Sequence, residues 1–222
     1  SKGWTQHKEM AEAQAEMTAR KQAFLDKRDG KTLAEIKEDP ETYQFSVAGG
    51  KIAFKNHCAT CHGSGAAGNK GYPNLNDDDW LWGGSLDDIY TTIKYGIRAE
   101  HDDTRYSEMS AFGRDALLNR QQIEQVADHV LSLSGKAEAS EKGAAIFAEN
   151  CAACHAEDGT GDRSMGAPNL ADAIWLYGDA REDVIESITN ARYGVMPNWN
   201  TRLDEDTIKQ LTIYVHSLGG GE

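Results

Sequence analysis

Two short stretches carry the residue types best suited to hold a redox group. Cys58-Ala59-Thr60-Cys61-His62 and Cys151-Ala152-Ala153-Cys154-His155 both read Cys-x-x-Cys-His, the attachment signature of a c-type haem. Cysteines three residues apart lie on one side of a helical turn, so both sulfurs can bond the vinyl groups of one porphyrin. The histidine that follows is then directed at the iron. Because these motifs use all four cysteines of the chain, we predict two covalently attached haems.

A Cys-x-x-Cys pair also occurs in redox disulfides and in zinc sites, so both alternatives need weighing. Zinc would draw the two pairs into one module, whereas here each pair lies in its own copy of a sequence repeat. A thioredoxin-type disulfide does not need the histidine, which is present in both copies. The pattern therefore favours haem.

Composition limits the fold and the partners. The 222 residues suffice for two small domains, but 39% hydrophobic and 8% aromatic residues are few for two cores. A flat apolar macrocycle at the centre of each domain would make up the deficit. The formal net charge of -13 argues against nucleic acid and against adhesion to anionic lipid. It suits charged protein partners.

The two motifs belong to two copies of one longer pattern. Pro73-Asn74-Leu75 recurs as Pro168-Asn169-Leu170, and Trp80-Leu81-Trp82-Gly83 recurs as Trp175-Leu176-Tyr177-Gly178. Each copy then continues with an amphipathic helix, a methionine loop and a terminal helix. We predict these helices over residues 86–96, 120–133, 181–191 and 204–218.

The part before the repeats has no haem signal. Residues 8–28 lack Gly and Pro and are rich in helix formers, which predicts one helix, with a polar connector over 31–45. This helix is either a solvated connector or a stalk that leads from a membrane or lies against a partner. We predict an all-α chain with four parts: an N-terminal stalk and connector (1–44), a first domain (45–135), a linker (136–140) and a second domain (141–222).

The sixth ligand of each iron decides what the haem can do. A haem bound by histidine alone can react with oxygen or peroxide, whereas a second protein ligand makes it an electron carrier. Met109 and Met196 occupy equivalent places in the two copies, and a thioether is a soft ligand that favours ferrous iron. We expect each methionine to ligate the haem of its own copy. Met109 follows an insertion, residues 97–107, so His101 is its rival at the first haem.

Other residues are expected to support the haems. The carbonyls of Pro73 and Pro168 are expected to accept the Nδ1–H of His62 and His155 and so fix each ring. Four aromatic residues either belong to the core or use their N–H and O–H groups to bind haem propionates: Trp80, Trp82, Trp175 and Tyr177.

With these features, each copy resembles a class I cytochrome c domain. The tandem pair, led by a polar helix beginning Gly3-Trp4, resembles the dihaem subunit (CcoP or FixP) of cbb3-type cytochrome c oxidases. The resemblance is carried by Trp80-Leu81-Trp82-Gly83-Gly84, Thr92-Ile93-Lys94-Tyr95-Gly96 and Arg192-Tyr193-Gly194-Val195-Met196-Pro197. It implies an electron relay that is not an enzyme on its own. The relay would take electrons from a periplasmic donor cytochrome c and pass them to the monohaem and catalytic subunits of the oxidase.

The resemblance also implies a location on the periplasmic side of the bacterial inner membrane. The sequence has no signal peptide and no apolar run near the roughly 20 residues of a membrane span, so we expect a signal or an anchor upstream of Ser1. Two alternatives remain. A free dihaem shuttle would not need residues 1–44, and a dihaem peroxidase would need one iron with an open position.

Overall fold

A computed structural model describes residues 6–222, without the side chains of Gln6 and Arg28; Gly3 and Trp4 lie outside this range. Within it, pairing between extended segments is limited to isolated bridges, which confirms the predicted all-α class. The predicted N-terminal helix is also present. No helix in this range is long and apolar enough to cross a membrane. The ten helices of the described part are α1 (Gln6–Arg28), α2 (Leu33–Glu38), α3 (Pro40–His57), α4 (Ala59–His62), α5 (Leu86–Tyr95), α6 (Arg120–Leu133), α7 (Glu141–Asn150), α8 (Ala152–His155), α9 (Arg181–Asn190) and α10 (Glu205–His216).

The segment expected to be a connector is helical. The Thr32 hydroxyl accepts the Glu35 N–H at 3.2 Å, and the Glu35 carboxylate accepts the Thr32 N–H at 2.8 Å. This capping box starts α2. Asp39 then caps α3, with Pro40 in its first turn, where a missing N–H leaves no hydrogen bond unmade. The prediction of a polar connector over 31–45 was therefore wrong, and the Thr-x-x-Glu pattern was the signal for the helix.

Two hydrophobic cores organise the rest, and each combines both repeats. In core 1, α3 and α5 of the first repeat pack against α10 of the second; in core 2, α7 and α9 of the second repeat pack against α6 of the first. The buried residues of core 1 are Ala53, Phe54, Ala66, Ile89, Ile93, Ile208, Leu211 and Val215. Those of core 2 are Phe112, Leu118, Ile123, Val126, Ala127, Val130, Leu131, Phe147, Val184 and Ile188. The repeats have exchanged their terminal helices.

This exchange corrects the expectation that each repeat folds around its own haem. The ranges 45–135 and 141–222 remain a proposal for the limits of the sequence repeats, but neither range contains a complete core. The short link over 136–140 gives the physical reason. It makes α6 and α7 sequence neighbours, and helices joined by a short connection tend to pack together. The place of α6 on α3 is then left for α10.

Glycine permits both of the main helix crossings. A Cβ on Gly50 would lie 2.1 Å from the carbonyl oxygen of Gln210 in α10, and a Cβ on Gly143 would lie 2.3 Å from that of Gln125 in α6. A Cβ cannot lie so close to a backbone oxygen, so only glycine fits at these two positions. The two crossings correspond, so the exchange of terminal helices is reciprocal.

We expect Gly50→Ala to lower the free energy of unfolding by about 2 kcal/mol, the usual scale of overpacking. Alanine in a helix interior ordinarily gains about 1 kcal/mol over glycine, so the sign reports the contact with α10. Denaturant unfolding of the haem-loaded protein, followed by far-UV circular dichroism, measures the difference. Gly65→Ala is the control, since a Cβ there meets nothing within 4 Å. An unchanged or increased stability of Gly50→Ala would contradict the close crossing.

Candidate functional site

Each cysteine motif forms a single helical turn at the end of a longer helix. The Cys58 N–H donates to Phe54 O at 2.8 Å and ends α3, and the His62 N–H donates to Cys58 O at 3.0 Å and closes α4. The second motif repeats this geometry, with the Cys151 N–H bonded to Phe147 O at 2.8 Å. None of the four cysteines is in a disulfide. One turn therefore presents two thiols and an imidazole together.

The imidazole rings are held by proline carbonyls. Nδ1 of His62 lies 3.0 Å from Pro73 O, and Nδ1 of His155 lies 3.1 Å from Pro168 O. Since a carbonyl only accepts, Nδ1 carries the proton, and the Nε2 lone pair is left for a metal. Burial lowers the pKa of both histidines, so the rings are neutral, as a ligand must be.

The first cysteine of each motif lies in apolar surroundings. Burial, with a smaller contribution from the second cysteine, raises the pKa of Cys58 and of Cys151 to about 11. Both thiols are thus uncharged near neutral pH. No group of three or more His, Cys, Asp or Glu residues among 6–222 is arranged to hold a metal ion. Uncharged thiols on an apolar wall suit a porphyrin edge.

Each candidate methionine lies with the cysteine motif of the other repeat. Met196 packs against core 1 together with Cys58, and Met109 packs against core 2 together with Cys151. The structure therefore places each methionine in the core that contains the other repeat's cysteine motif rather than its own. The reason is the exchange of terminal helices, because each methionine loop leads into the helix that has changed places.

Backbone hydrogen bonds hold the methionine loops in these positions. The N–H three residues after each methionine donates to the end of a middle helix, from Trp199 to Ile93 O at 3.2 Å and from Phe112 to Ile188 O at 3.0 Å. These two contacts are equivalent in the repeats, which confirms that Met109 and Met196 occupy matching positions. Both loops are anchored across the repeat boundary.

His101 supports the Met196 loop and does not stand beside Met109. Its Nδ1 accepts the Asp103 N–H at 3.0 Å, and its Nε2 lies 2.9 Å from Nδ2 of Asn200. Both ring nitrogens thus have protein neighbours at hydrogen-bonding distance. His101 therefore lies on the core 1 side, with the first cysteine motif, and apart from Met109, which packs in core 2. Its place as an alternative ligand of the first haem stays a prediction.

The four aromatic residues differ in their surroundings. The Trp80 indole donates to Gly220 O at 2.5 Å and packs against core 1. Trp175 packs against core 2, and its buried Nε1 has no hydrogen-bond partner. Trp82 is buried, with its ring against Gly166, and the Tyr177 ring lies against Gly71. Only Trp175 therefore presents a buried, unused donor, which is the arrangement that a propionate would satisfy.

Two arginines were missed by the sequence analysis. The Arg105 guanidinium lies 5.6 Å from the Trp82 ring and pairs with Asp88 at 2.9 Å, while its Nε is buried without a partner. Arg192 lies 5.0 Å from the Tyr177 ring. Arg105 comes from the insertion, so it does not correspond to Arg192 in the repeat. A comparison of the two repeats therefore could not identify these two arginines. The unused donors on Arg105 and Trp175 fit the carboxylates of two haem groups.

An acidic cluster lies where the repeats meet, near the Pro168 loop. Desolvation raises the pKa of Asp79 to about 6, and the carboxylates of Asp172 and Asp77 add to the effect, while Arg163 opposes it. The ordinary value near 3.8 applies to the unfolded chain. Ionised Asp79 therefore costs stability above pH 6, and this cost shrinks as the pH falls toward 4.

We expect Asp79→Asn to raise the free energy of unfolding at pH 7 to 8, by about 1 kcal/mol after solvent screening. The gain should shrink as the pH falls below 6 and vanish below about pH 3, where both states of the natural protein are protonated. Chemical unfolding at a series of pH values measures this. Asp78→Asn at the exposed neighbouring position is the control. A gain that is independent of pH would contradict the raised pKa.

Two protein-family models match this chain. A family model described as Cytochrome c matches residues 46–134. A second, described as "Cytochrome C oxidase, cbb3-type, subunit III", matches residues 138–215. The two models thus meet near the predicted linker, and each includes one cysteine motif.

Individual relatives match over most of this chain. The cbb3-type cytochrome c oxidase subunit CcoP of Cereibacter sphaeroides is 58% identical over 194 residues, which cover 86% of this chain and 67% of the relative. The corresponding subunit FixP of Azorhizobium caulinodans is 47% identical over 224 residues, covering 99% and 76%. FixP of Rhizobium meliloti is 47% identical over 229 residues, covering 100% and 78%. Each relative extends beyond the matched part.

Proposed function

This chain belongs to the family of CcoP and FixP subunits of cbb3-type cytochrome c oxidases, and from the packing of its two cores we propose a crossed pair of His/Met haem sites as its electron relay. It is an electron-transfer subunit of an oxidase rather than an enzyme on its own. Its two cytochrome c regions hold two covalently attached haem c groups. When bound, each haem supplies an iron that alternates between ferric and ferrous states and so carries one electron.

The residues of the chain divide the work of holding the two groups. Cys58 and Cys61 bond one haem, and Cys151 and Cys154 bond the other. In our assignment His62 and Met196 would hold the first iron, and His155 and Met109 would hold the second. Pro73 and Pro168 keep the imidazoles in one tautomer and one orientation, which limits movement of the ligands during electron transfer.

The observation that carries the relay is that a methionine and a cysteine motif pack against the same core in each case. An iron held by both a histidine and a methionine would have no free position for peroxide and would serve outer-sphere electron transfer. No side chain has to donate or accept a proton. This arrangement disfavours the dihaem peroxidase, and the membership of an oxidase-subunit family disfavours the free shuttle.

The partners follow from the family at two levels. The chain works with the cbb3-type oxidase. We further propose that a periplasmic donor cytochrome c delivers the electrons and that the monohaem subunit passes them to the catalytic subunit. We also place the haem-bearing part of the chain on the periplasmic side of the bacterial inner membrane.

The relay is tested with the oxidase complex itself. Oxidase that contains the natural chain is compared with oxidase in which Met109→Ala and Met196→Ala are combined, using a reduced donor cytochrome c and dioxygen. We expect dioxygen consumption to fall at least tenfold in the double variant, while oxidation of a small artificial donor that reaches the core directly is retained. The Met10→Ala and Met17→Ala double variant, altered on the exposed face of α1, is the control. Unchanged turnover with the donor cytochrome would contradict the relay.

A further inference from the structure

We propose that electrons enter at core 1, through a surface that accepts a small basic donor protein. This surface, called here the tyrosine face, consists of Tyr106, Tyr193 and Val195 with an acidic rim of Glu100, Asp102 and Asp103. The proposal rests on the proposed relay and adds which of the two haem sites receives the donor. The donor loses one electron and the ferric iron held by His62 and Met196 gains it, with no bond made or broken and no proton taken up.

The insertion lies directly beside the Met196 loop. The Ile97 N–H donates to Met196 O at 2.9 Å, and the Met196 N–H donates to Ile97 O at 3.0 Å. A second contact joins His101 to Asn200 at 2.9 Å. Residues 97–107 and the loop around Met196 therefore form one surface next to the candidate ligand.

Arg98 brings the two tyrosines to the same part of this surface. Its Nη1 donates to Ser107 O at 2.8 Å and its Nε donates to Gly194 O at 2.7 Å. Tyr106 precedes Ser107, and the Tyr193 ring lies 5.5 Å from the Arg98 guanidinium. The Arg98 guanidinium thus links the segment that contains Tyr106 to the segment that contains Tyr193.

The side chains of the face are more exposed than their types usually are. Tyr106 is 65% exposed, Tyr193 45% and Val195 64%. Tyrosine at a surface combines a large contact area with little conformational entropy to lose, and it is enriched where proteins bind one another. Exposed apolar area on both sides of a ligand loop suits a partner that must come close to the haem.

The rim decides the charge of that partner. Glu100, Asp102 and Asp103 are exposed at the turn of the insertion, and Glu108 accepts the Tyr106 hydroxyl at 2.7 Å. Arg98 and Arg105 lie in the same region, but both are half-buried and make internal bonds. The exposed rim therefore carries three negative charges, and a ring of lysines around the donor's redox group would complement it and speed encounter.

The corresponding surface after Met109 has a different character. Its exposed apolar side chain is Leu117, at 56%. Arg114 and Arg120 lie nearby, and they are paired with Asp115 at 3.2 Å and Glu124 at 2.9 Å. This balanced surface, which follows Met109, offers a basic donor no electrostatic advantage.

The test measures electron uptake by the haem-loaded chain in a stopped-flow instrument. The probe is ferrous mitochondrial-type cytochrome c, whose haem edge is ringed by lysines. We expect the triple variant Glu100→Gln, Asp102→Asn, Asp103→Asn to lower the second-order rate at low salt about tenfold. Glu9→Gln, Glu12→Gln, Glu16→Gln changes the net charge equally on exposed α1 positions and should keep the rate within about twofold.

A second pair of variants separates contact from charge. At high salt, where charges are screened, Tyr106→Ala should slow uptake and Leu117→Ala should not. Equal rates for the two acidic triple variants would overturn the proposal. The proposal would also be overturned if the rim variant took up electrons at the natural rate but delivered them more slowly to the oxidase core. That result would assign the tyrosine face to the contact with the core.

Failure of the relay itself would look different. Ascorbate with a small mediator should reduce both haems completely in the natural chain and in every variant. If it does not, the proposed relay is at fault. If it does, and the rim variant still takes electrons from the protein donor at the natural rate, only the docking surface is wrong.

Discussion

Met196→Ala is expected to remove the sixth ligand from the haem bonded to Cys58 and Cys61, although Met196 lies in the second repeat. Met196 packs in core 1 beside the first cysteine motif, and alanine cannot replace its thioether. The ferric protein should lose about half of the red charge-transfer absorption that a methionine–iron bond produces, since one of two sites is affected. The ferrous protein should bind one carbon monoxide per chain, and the potential of that haem should fall.

The identity of the affected haem is the informative part of this result. With ¹⁵N-labelled histidine, the ring resonances of the axial ligands report each iron separately. We expect the His62 signals to change in Met196→Ala and the His155 signals to change in Met109→Ala. Met17→Ala, at an exposed position on α1, should leave both unchanged. A change at His155 in Met196→Ala would restore the pairing within each repeat.

Leu211→Ala is expected to weaken the first haem site rather than the second. Leu211 is fully buried in core 1, between helices from both repeats. Truncating a buried leucine costs about 2–5 kcal/mol, because the lost transfer energy adds to that of the cavity left behind. The loss falls on the packing of α10 against α3, which supports the wall that contains Cys58.

Ile123→Ala is the matched change in the other core. Ile123 is buried in core 2, on the helix that the first repeat contributes there. In a denaturant titration of the reduced protein, we expect the His62 resonances to disappear first in Leu211→Ala and the His155 resonances first in Ile123→Ala. The opposite order would mean that the terminal helices have not been exchanged.

Local features of the structure could be predicted because they depend on neighbouring residues. The two cysteine motifs, the carbonyls of Pro73 and Pro168, and the boundaries of α6 all follow from spacing, turn chemistry and amphipathic periodicity. The helix α2 was missed, yet its capping box, from Thr32 to Glu35, was a local signal as well.

The exchange of helices could not be predicted in this way. The apolar stripes of α6 and α10 are similar enough that either helix fits either core by pattern alone. The choice between them depends on the short link before α7, which is a property of the connection and not of the helices. Arg105 was missed for a related reason, since it comes from an insertion that has no counterpart in the second repeat.

The most direct test of crossed ligation is a nuclear Overhauser spectrum of the fully reduced, haem-loaded chain. In this diamagnetic state the ligand methionine methyls are shifted by the porphyrin ring current and stand apart from other signals. The account predicts contacts from the Met196 methyl to the haem whose thioether bridges lead to Cys58 and Cys61, and from Met109 to the haem at Cys151 and Cys154. Contacts from Met196 to the haem at Cys151 and Cys154 would contradict it.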